Sequence, residues 1–240
     1  MEITYLSLLL AGLITGFSKF SVGGMGMLIL PILMLSFTGH EALGIILPIY
    51  ILTDIMAIAT YRKQVQWRII LQIIPVAFLG MGVGFSLLTI VSNEGFAALV
   101  GLIILAMVAL GMYLDKLKSA FIETTIAQHS FSLISGIVGM LANAAGPVIS
   151  LFLVQKKLPK EAIIHTRVWT IFIINLAKIP TLFALGVLNI ESVKLSLQSL
   201  PGLIIGIVAG YVFLKYINLA HLKWLIRTVA ILAALKLLFS

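Results

Sequence analysis

Between Arg68 and Glu94 the chain runs 25 residues without a charged side chain. A helix of about 20 such residues spans the hydrocarbon core of a bilayer. A soluble helix of that length needs a polar face. The same pattern recurs along the chain, and composition agrees with it. Of 240 residues, 61% are hydrophobic and 10% are charged, against about 25% charged in a soluble domain. Lipid is the solvent that makes such a surface stable, so the chain reads as an all-α polytopic membrane protein.

Hydrophobic runs bounded by charges and turn residues define eight helical segments. Segments A to D cover roughly 4–37, 42–61, 69–91 and 95–114, and segments A′ to D′ cover roughly 124–155, 161–188, 193–215 and 219–239. A and A′ each exceed 30 residues and are interrupted, A at Ser18 to Gly26 and A′ at Gly139 to Pro147. The start, Met1-Glu2-Ile3-Thr4, lacks a basic n-region. The first segment is therefore expected in the mature protein rather than in a cleaved signal.

Each half, 1–118 and 119–240, thus has a broken long segment followed by three ordinary spans. Pro31 and Pro147 follow the breaks, and Asp54 and Asn175 lie inside B and B′. Pro75, Gly80 and Gly84 in C match Pro201, Gly206 and Gly210 in C′ with identical spacing. These landmarks predict an internal repeat.

Charge predicts how the repeats sit. If A and A′ each cross once, loop and tail Lys/Arg divide 7 to 5 between the two sides, which orients nothing. If each is a re-entrant hairpin, one side holds Arg62, Lys63, Arg68, Lys116, Lys118, Lys156, Lys157, Lys160, Lys215 and Lys223. The other holds only Lys194 and Lys236. That imbalance is the positive-inside pattern. Three full crossings per repeat then invert the second repeat relative to the first, with both termini outside. The expected fold is an inverted repeat of a re-entrant hairpin plus three transmembrane helices, with the hairpin tips meeting near the midplane. A multi-pass protein of a prokaryotic inner membrane is the expected setting, with the lipid bilayer as its surroundings.

The runs that form the breaks resemble a known family. Gly12 to Pro31 (GLITGFSKFSVGGMGMLILP) is similar to the glycine-rich first segment of the TauE/SafE sulfite-exporter family, also called TSUP. Ser135 to Pro147 (SGIVGMLANAAGP) resembles its second copy, and Ile173 to Pro180 (IINLAKIP) resembles the Asn and Lys of the following helix. The resemblance covers nearly the whole chain. Two departures stand out: Lys19 lies in a break where small residues are typical, and Ala-Asn-Ala-Ala-Gly replaces a run of glycines in A′. The resemblance implies transport of a small anion, commonly sulfite, thiosulfate or an organosulfonate.

The residues point to an anion independently. The apolar segments embed Lys19, Arg167, Lys178 and Arg227 with one acid, Asp54. A charge at the bilayer centre costs at least ~2.5–3.5 kcal/mol, so it signals a partner or a function. Half-helix amides at the breaks favour negative charge. Candidate substrate-binding residues are Ser18, Lys19, Ser21, Gly23, Gly24, Gly26, Asn143, Gly146, Arg167, Asn175 and Lys178. Each has a structural alternative. Lys19 could snorkel or pair with Asp54, Lys178 could bond the opposed hairpin, Arg167 could reach the headgroups, and Asn143, Ser18 and Ser21 could cap broken helices. Asp54 could carry a coupling proton or Na⁺, or form a structural ion pair. His165 reads as a packed or interfacial histidine, and Arg227 as an anchor near the interface.

Other classes fit less well. There is no cysteine, no HExxH motif and no pair of intramembrane acids, so neither a resident metal, a cofactor nor an enzyme is expected. The +8 charge sits in short clusters between apolar runs rather than in a stripe among aromatics, so nucleic acid is not an expected partner. A cation transporter or channel built on Asp54, Asn143 and Asn175 is the competing reading.

Overall fold

The computed structural model describes residues 2–21, 25–60, 63–116, 124–154, 156, 158–213 and 219–239. Gly23 and Gly24 lie outside the described residues, as do Arg62, Lys118, Lys157 and Lys215 from the predicted charge imbalance.

The described residues are helical almost throughout, as the bilayer requires. A helix satisfies its own backbone groups where water is absent. Eleven α-helices are described: α1 (Glu2–Phe20), α2 (Ile29–Leu33), α3 (Gly39–Thr60), α4 (Trp67–Ile90), α5 (Asn93–Lys116), α6 (Thr125–Ala142), α7 (Ala145–Val154), α8 (Lys160–Ala184), α9 (Ile190–Gln198), α10 (Leu200–Phe213) and α11 (Leu219–Phe239). Eight predicted segments become eleven helices because three of them break. Two breaks are the predicted ones in A and A′. The third is in C′, read from sequence as one uninterrupted span, where α9 and α10 meet at 51°. The bend falls at Ser199, directly before Leu200-Pro201. Pro201 lacks the N–H that would carry the α9 hydrogen-bond ladder onward.

Both long segments double back. In A, α1 gives way to a 3-10 turn, Met25–Leu28, and then to α2. Ser7 Oγ, early in α1, donates to Ser36 Oγ at 3.2 Å. The chain therefore returns to the level at which it started. In A′, Asn143 ends α6 in the left-handed region (φ 51°). α7 then starts at Ala145 with Pro147 in its first turn, where the missing N–H costs nothing. The Phe152 ring of α7 lies 5.8 Å from Phe131 of α6, so this limb also runs back.

Glycines let the doubled segments pack closely. A Cβ on Gly206 would overlap the Leu13 carbonyl of α1, and one on Gly210 would press on Phe17. Likewise a Cβ on Gly80 would overlap the Leu133 carbonyl of α6, and one on Gly84 would press on Met140. The matched glycines of C and C′ thus do the same work. Each pair seats its helix on the broken segment of the other half. α5 and α11 pack together, as do α3 and α8.

Among the described residues, six helices are long and apolar enough to cross a membrane: α1, α3, α4, α5, α6 and α8. The bent pair α9–α10 makes up to seven. The returning limbs are shorter, five residues in α2 and ten in α7. α11 does not join the set, because every 18-residue stretch of it contains Lys223, Arg227 and Lys236. The chain is a multi-pass membrane protein.

Candidate functional site

The two breaks converge on one cavity. It is lined by Thr15, Ser18 and Lys19 of α1, Gly26 of the 3-10 turn, Ile29 of α2 and Tyr50 of α3. The second half contributes Asn143, then Ala145, Gly146, Pro147 and Ser150 of α7, and Arg167, Val168, Ile171 and Asn175 of α8. Its volume is about 40 Å³, on the measure in which one water needs about 10–15 Å³. That is room for a group of a few heavy atoms.

Helix periodicity explains the lining. Thr15, Ser18 and Lys19 are spaced i, i+3, i+4 on α1, and Arg167, Ile171 and Asn175 are spaced by four on α8, so each set lies along one face. Gly146 and Ser150, four apart on α7, do the same. The first turn of α7 meets the cavity at Ala145-Gly146-Pro147, the end of a helix whose N–H groups have no intrahelical acceptor.

Buried charge is concentrated here. Asp54 and Lys178 are essentially inaccessible, and Arg167 is buried. Lys19 forms an ion pair with Asp54 Oδ1. Asn175 Nδ2 donates to Asp54 Oδ2 at 2.7 Å. Both carboxylate oxygens are therefore engaged. Lys178 Nζ donates to Asn143 Oδ1. That bond fixes the Asn143 amide, since only its oxygen can face an ammonium. Its Nδ2 is left buried with no partner among the described residues, as is Ser150 Oγ. Tyr50 ties the first break to α3: its hydroxyl donates to Gly26 O at 3.3 Å, and Lys19 Nζ lies 5.2 Å from its ring centre.

Of the predicted residues, Ser18, Lys19, Gly26, Asn143, Gly146, Arg167 and Asn175 line the cavity. Lys178 stands behind it, through Asn143. Ser21 is buried beside the break without lining it. Asp54 stands behind Lys19, which takes the ion-pair alternative offered for that lysine. His165 is half-buried, and its Nδ1 accepts from Gln64 N at 3.0 Å. Thr166 Oγ1 accepts from Gln66 N beside it, pinning the loop before α4 to α8. Arg227 lies over Trp224 at 5.7 Å. Sequence reasoning missed Thr15, Tyr50 and Ser150. All three lie three or four positions from a residue it did select.

Comparison with known proteins decides the family. The model of the family described as Sulfite exporter TauE/SafE matches residues 8–237. The chain belongs to this family. No curated protein and no solved structure matches it. As a TauE/SafE protein it is a membrane transporter and not an enzyme, and its family implies a small anion as substrate.

Proposed function

We propose that this TauE/SafE transporter moves a small sulfur-containing anion, such as sulfite, thiosulfate or an organosulfonate, by alternating access around the cavity between the two breaks. The observation that carries this reading is the lining. Lys19 and Arg167 border the cavity, and Lys178 adjoins it, against one carboxylate that is already paired. No carboxylate lines the cavity among the described residues. An oxyanion would accept from the cations, from Asn143 Nδ2 and Ser150 Oγ, and from the free amides of α7. A cation would find both Asp54 oxygens taken. The cavity admits the few heavy atoms of a sulfur oxyanion more readily than a bulky organic acid.

The architecture we propose for this cycle is an inverted repeat of 1–118 and 119–240. A and A′ form re-entrant hairpins, and both termini lie outside a prokaryotic inner membrane. Three observations support it. α10 lies on α1 as α4 lies on α6, which is the same pairing with the halves exchanged. Lys19 bonds Asp54 and Asn143 bonds Lys178, each across 35 positions. Asp54 is six residues from the end of α3 and Lys178 six from the end of α8. Each tip therefore stops about 9 Å of helix short of the bundle's edge. Rocking of the spans about the tips would open the cavity to one side and then to the other.

Uptake into proteoliposomes against a panel of sulfite, thiosulfate, an organosulfonate, acetate and Na⁺ tests the reading. Saturable flux of the sulfur oxyanions is the expected result. Flux of Na⁺ with none of any anion would overturn it in favour of a cation path.

A further inference from the structure

Asp54 is more than the proposed transport cycle has so far used. It is fully buried at 0% exposure and does not line the cavity. It grips Lys19 from behind, while Lys19 itself faces the cavity. An anion entering the cavity therefore meets a lysine already engaged by a carboxylate of the protein.

Building on the anion reading above, we propose that Asp54 is an internal competitor for the substrate, and that displacing it couples one proton to each anion moved. The arriving anion draws Lys19 away from Asp54 Oδ1. Asp54 is then left with one neutral donor, Asn175 Nδ2, beside a second negative charge. A buried carboxylate without its cation is costly, and two anions sharing one cation resist joint ionisation, as paired carboxylates do. Taking a proton from the loading side removes that cost. The step is COO⁻ plus H⁺ giving COOH, and no other bond forms or breaks. On the far side the anion leaves, the acid releases its proton, and the carboxylate returns to Lys19. Anion and proton travel in the same direction.

The surroundings suit this exchange. Among the described residues, the titratable and charged groups around Asp54 are Lys19 from α1, Tyr50 from its own helix and Lys178 from α8, with Arg167 of α8 beside Lys19. Asp54 is the acid among them. Lys178 is committed to the Asn143 amide. Asn175 can donate to the carboxylate or to the neutral acid, so the group keeps its place through the exchange.

Thiosulfate is the probe of choice, because its own charge is constant over the working pH range. Liposomes holding the full chain and a trapped pH dye should acidify inside as thiosulfate enters. An inward proton gradient should speed that entry several-fold. Binding to wild type should tighten as pH falls. In Asp54→Asn, binding should be roughly 10-fold tighter and independent of pH, because a charge-assisted bond to Lys19 is freed, and thiosulfate entry should no longer acidify the lumen. Thiosulfate entry without acidification in wild type would overturn the coupling while leaving the transport reading intact. Persistent acidification in Asp54→Asn would overturn it too. Absence of flux for every anion would sink the transport reading itself. A second measurement needs no variant. Dicyclohexylcarbodiimide modifies protonated carboxyls in apolar surroundings, so thiosulfate should raise its labelling of Asp54, read by peptide mass spectrometry. Unchanged or lower labelling contradicts the exchange.

Discussion

The two fold-back tips share a geometry and differ in chemistry. In the first half the tip carries Lys19, and its partner 35 positions on is a carboxylate, Asp54. In the second half the tip carries Asn143, and its partner 35 positions on is a cation, Lys178. One pair neutralises its charge internally. The other leaves a buried ammonium held by an amide. In the repeat we propose, one geometry would serve two electrostatic jobs: the first tip holds a cation in check, and the second offers its lysine to a ligand.

Asp54→Ala should strike hardest at this contrast. It strips Lys19 of its carboxylate and Asn175 of its acceptor, and breaking a buried pair costs about 3–5 kcal/mol. A marked loss of thermal stability in detergent is expected. A loss smaller than that of Lys178→Ala would mean that the two tips have been assigned the wrong way round.

The scaffold common to both halves comes next. Gly80→Ala and Gly206→Ala each drive a Cβ into a backbone carbonyl of the opposite half's broken segment. Overpacking of this kind costs about 1–3 kcal/mol, and the two losses should be similar. Gly82, two residues after Gly80 on α4 with nothing within 4 Å of a Cβ, is the control and should tolerate alanine. A loss at Gly206 with none at Gly80 would separate the halves and weaken the repeat.

Lys178→Ala should weaken binding without unfolding the protein. It leaves Asn143 Oδ1 without its donor, worth about 1–3 kcal/mol, and the chain should still fold. Thiosulfate binding should weaken roughly 10-fold, because the second tip loses its charge and the Asn143 amide its anchor. Unaltered binding by isothermal calorimetry would remove Lys178 from the site.

Tyr50→Phe should have the smallest effect. Only the hydroxyl bond to Gly26 O is lost, about 0.5–1.5 kcal/mol, while the ring beside Lys19 remains. A large loss of flux would give the first tip a gating contact that the second lacks.

Much of this contrast was legible in the sequence. Charges and breaks in apolar runs are conspicuous because lipid penalises both, so Lys19, Asp54, Asn143, Arg167, Asn175 and Lys178 stood out, and the cavity brings most of them together. Thr15, Tyr50 and Ser150 did not stand out. Hydroxyls are common in membrane helices, and buried helices such as α3 are apolar all round, so periodicity does not mark which face is functional. The bend at Ser199 was missed for a related reason. Pro75 sits inside the continuous helix α4, whereas Pro201 follows a true break, and the residues alone do not distinguish them. The partner of Lys19 was left open because two residues 35 positions apart meet only through tertiary packing.

The most direct test of an anion site between the tips is to see an anion there. Selenite mimics sulfite, and selenium scatters anomalously. Crystals of the wild-type chain soaked in selenite should show an anomalous peak in the cavity, within hydrogen-bond reach of Asn143 Nδ2 and Ser150 Oγ and beside Arg167. A cavity without that peak while selenite occupies another part of the bundle, or one that takes up Rb⁺ in its place, would contradict the assignment.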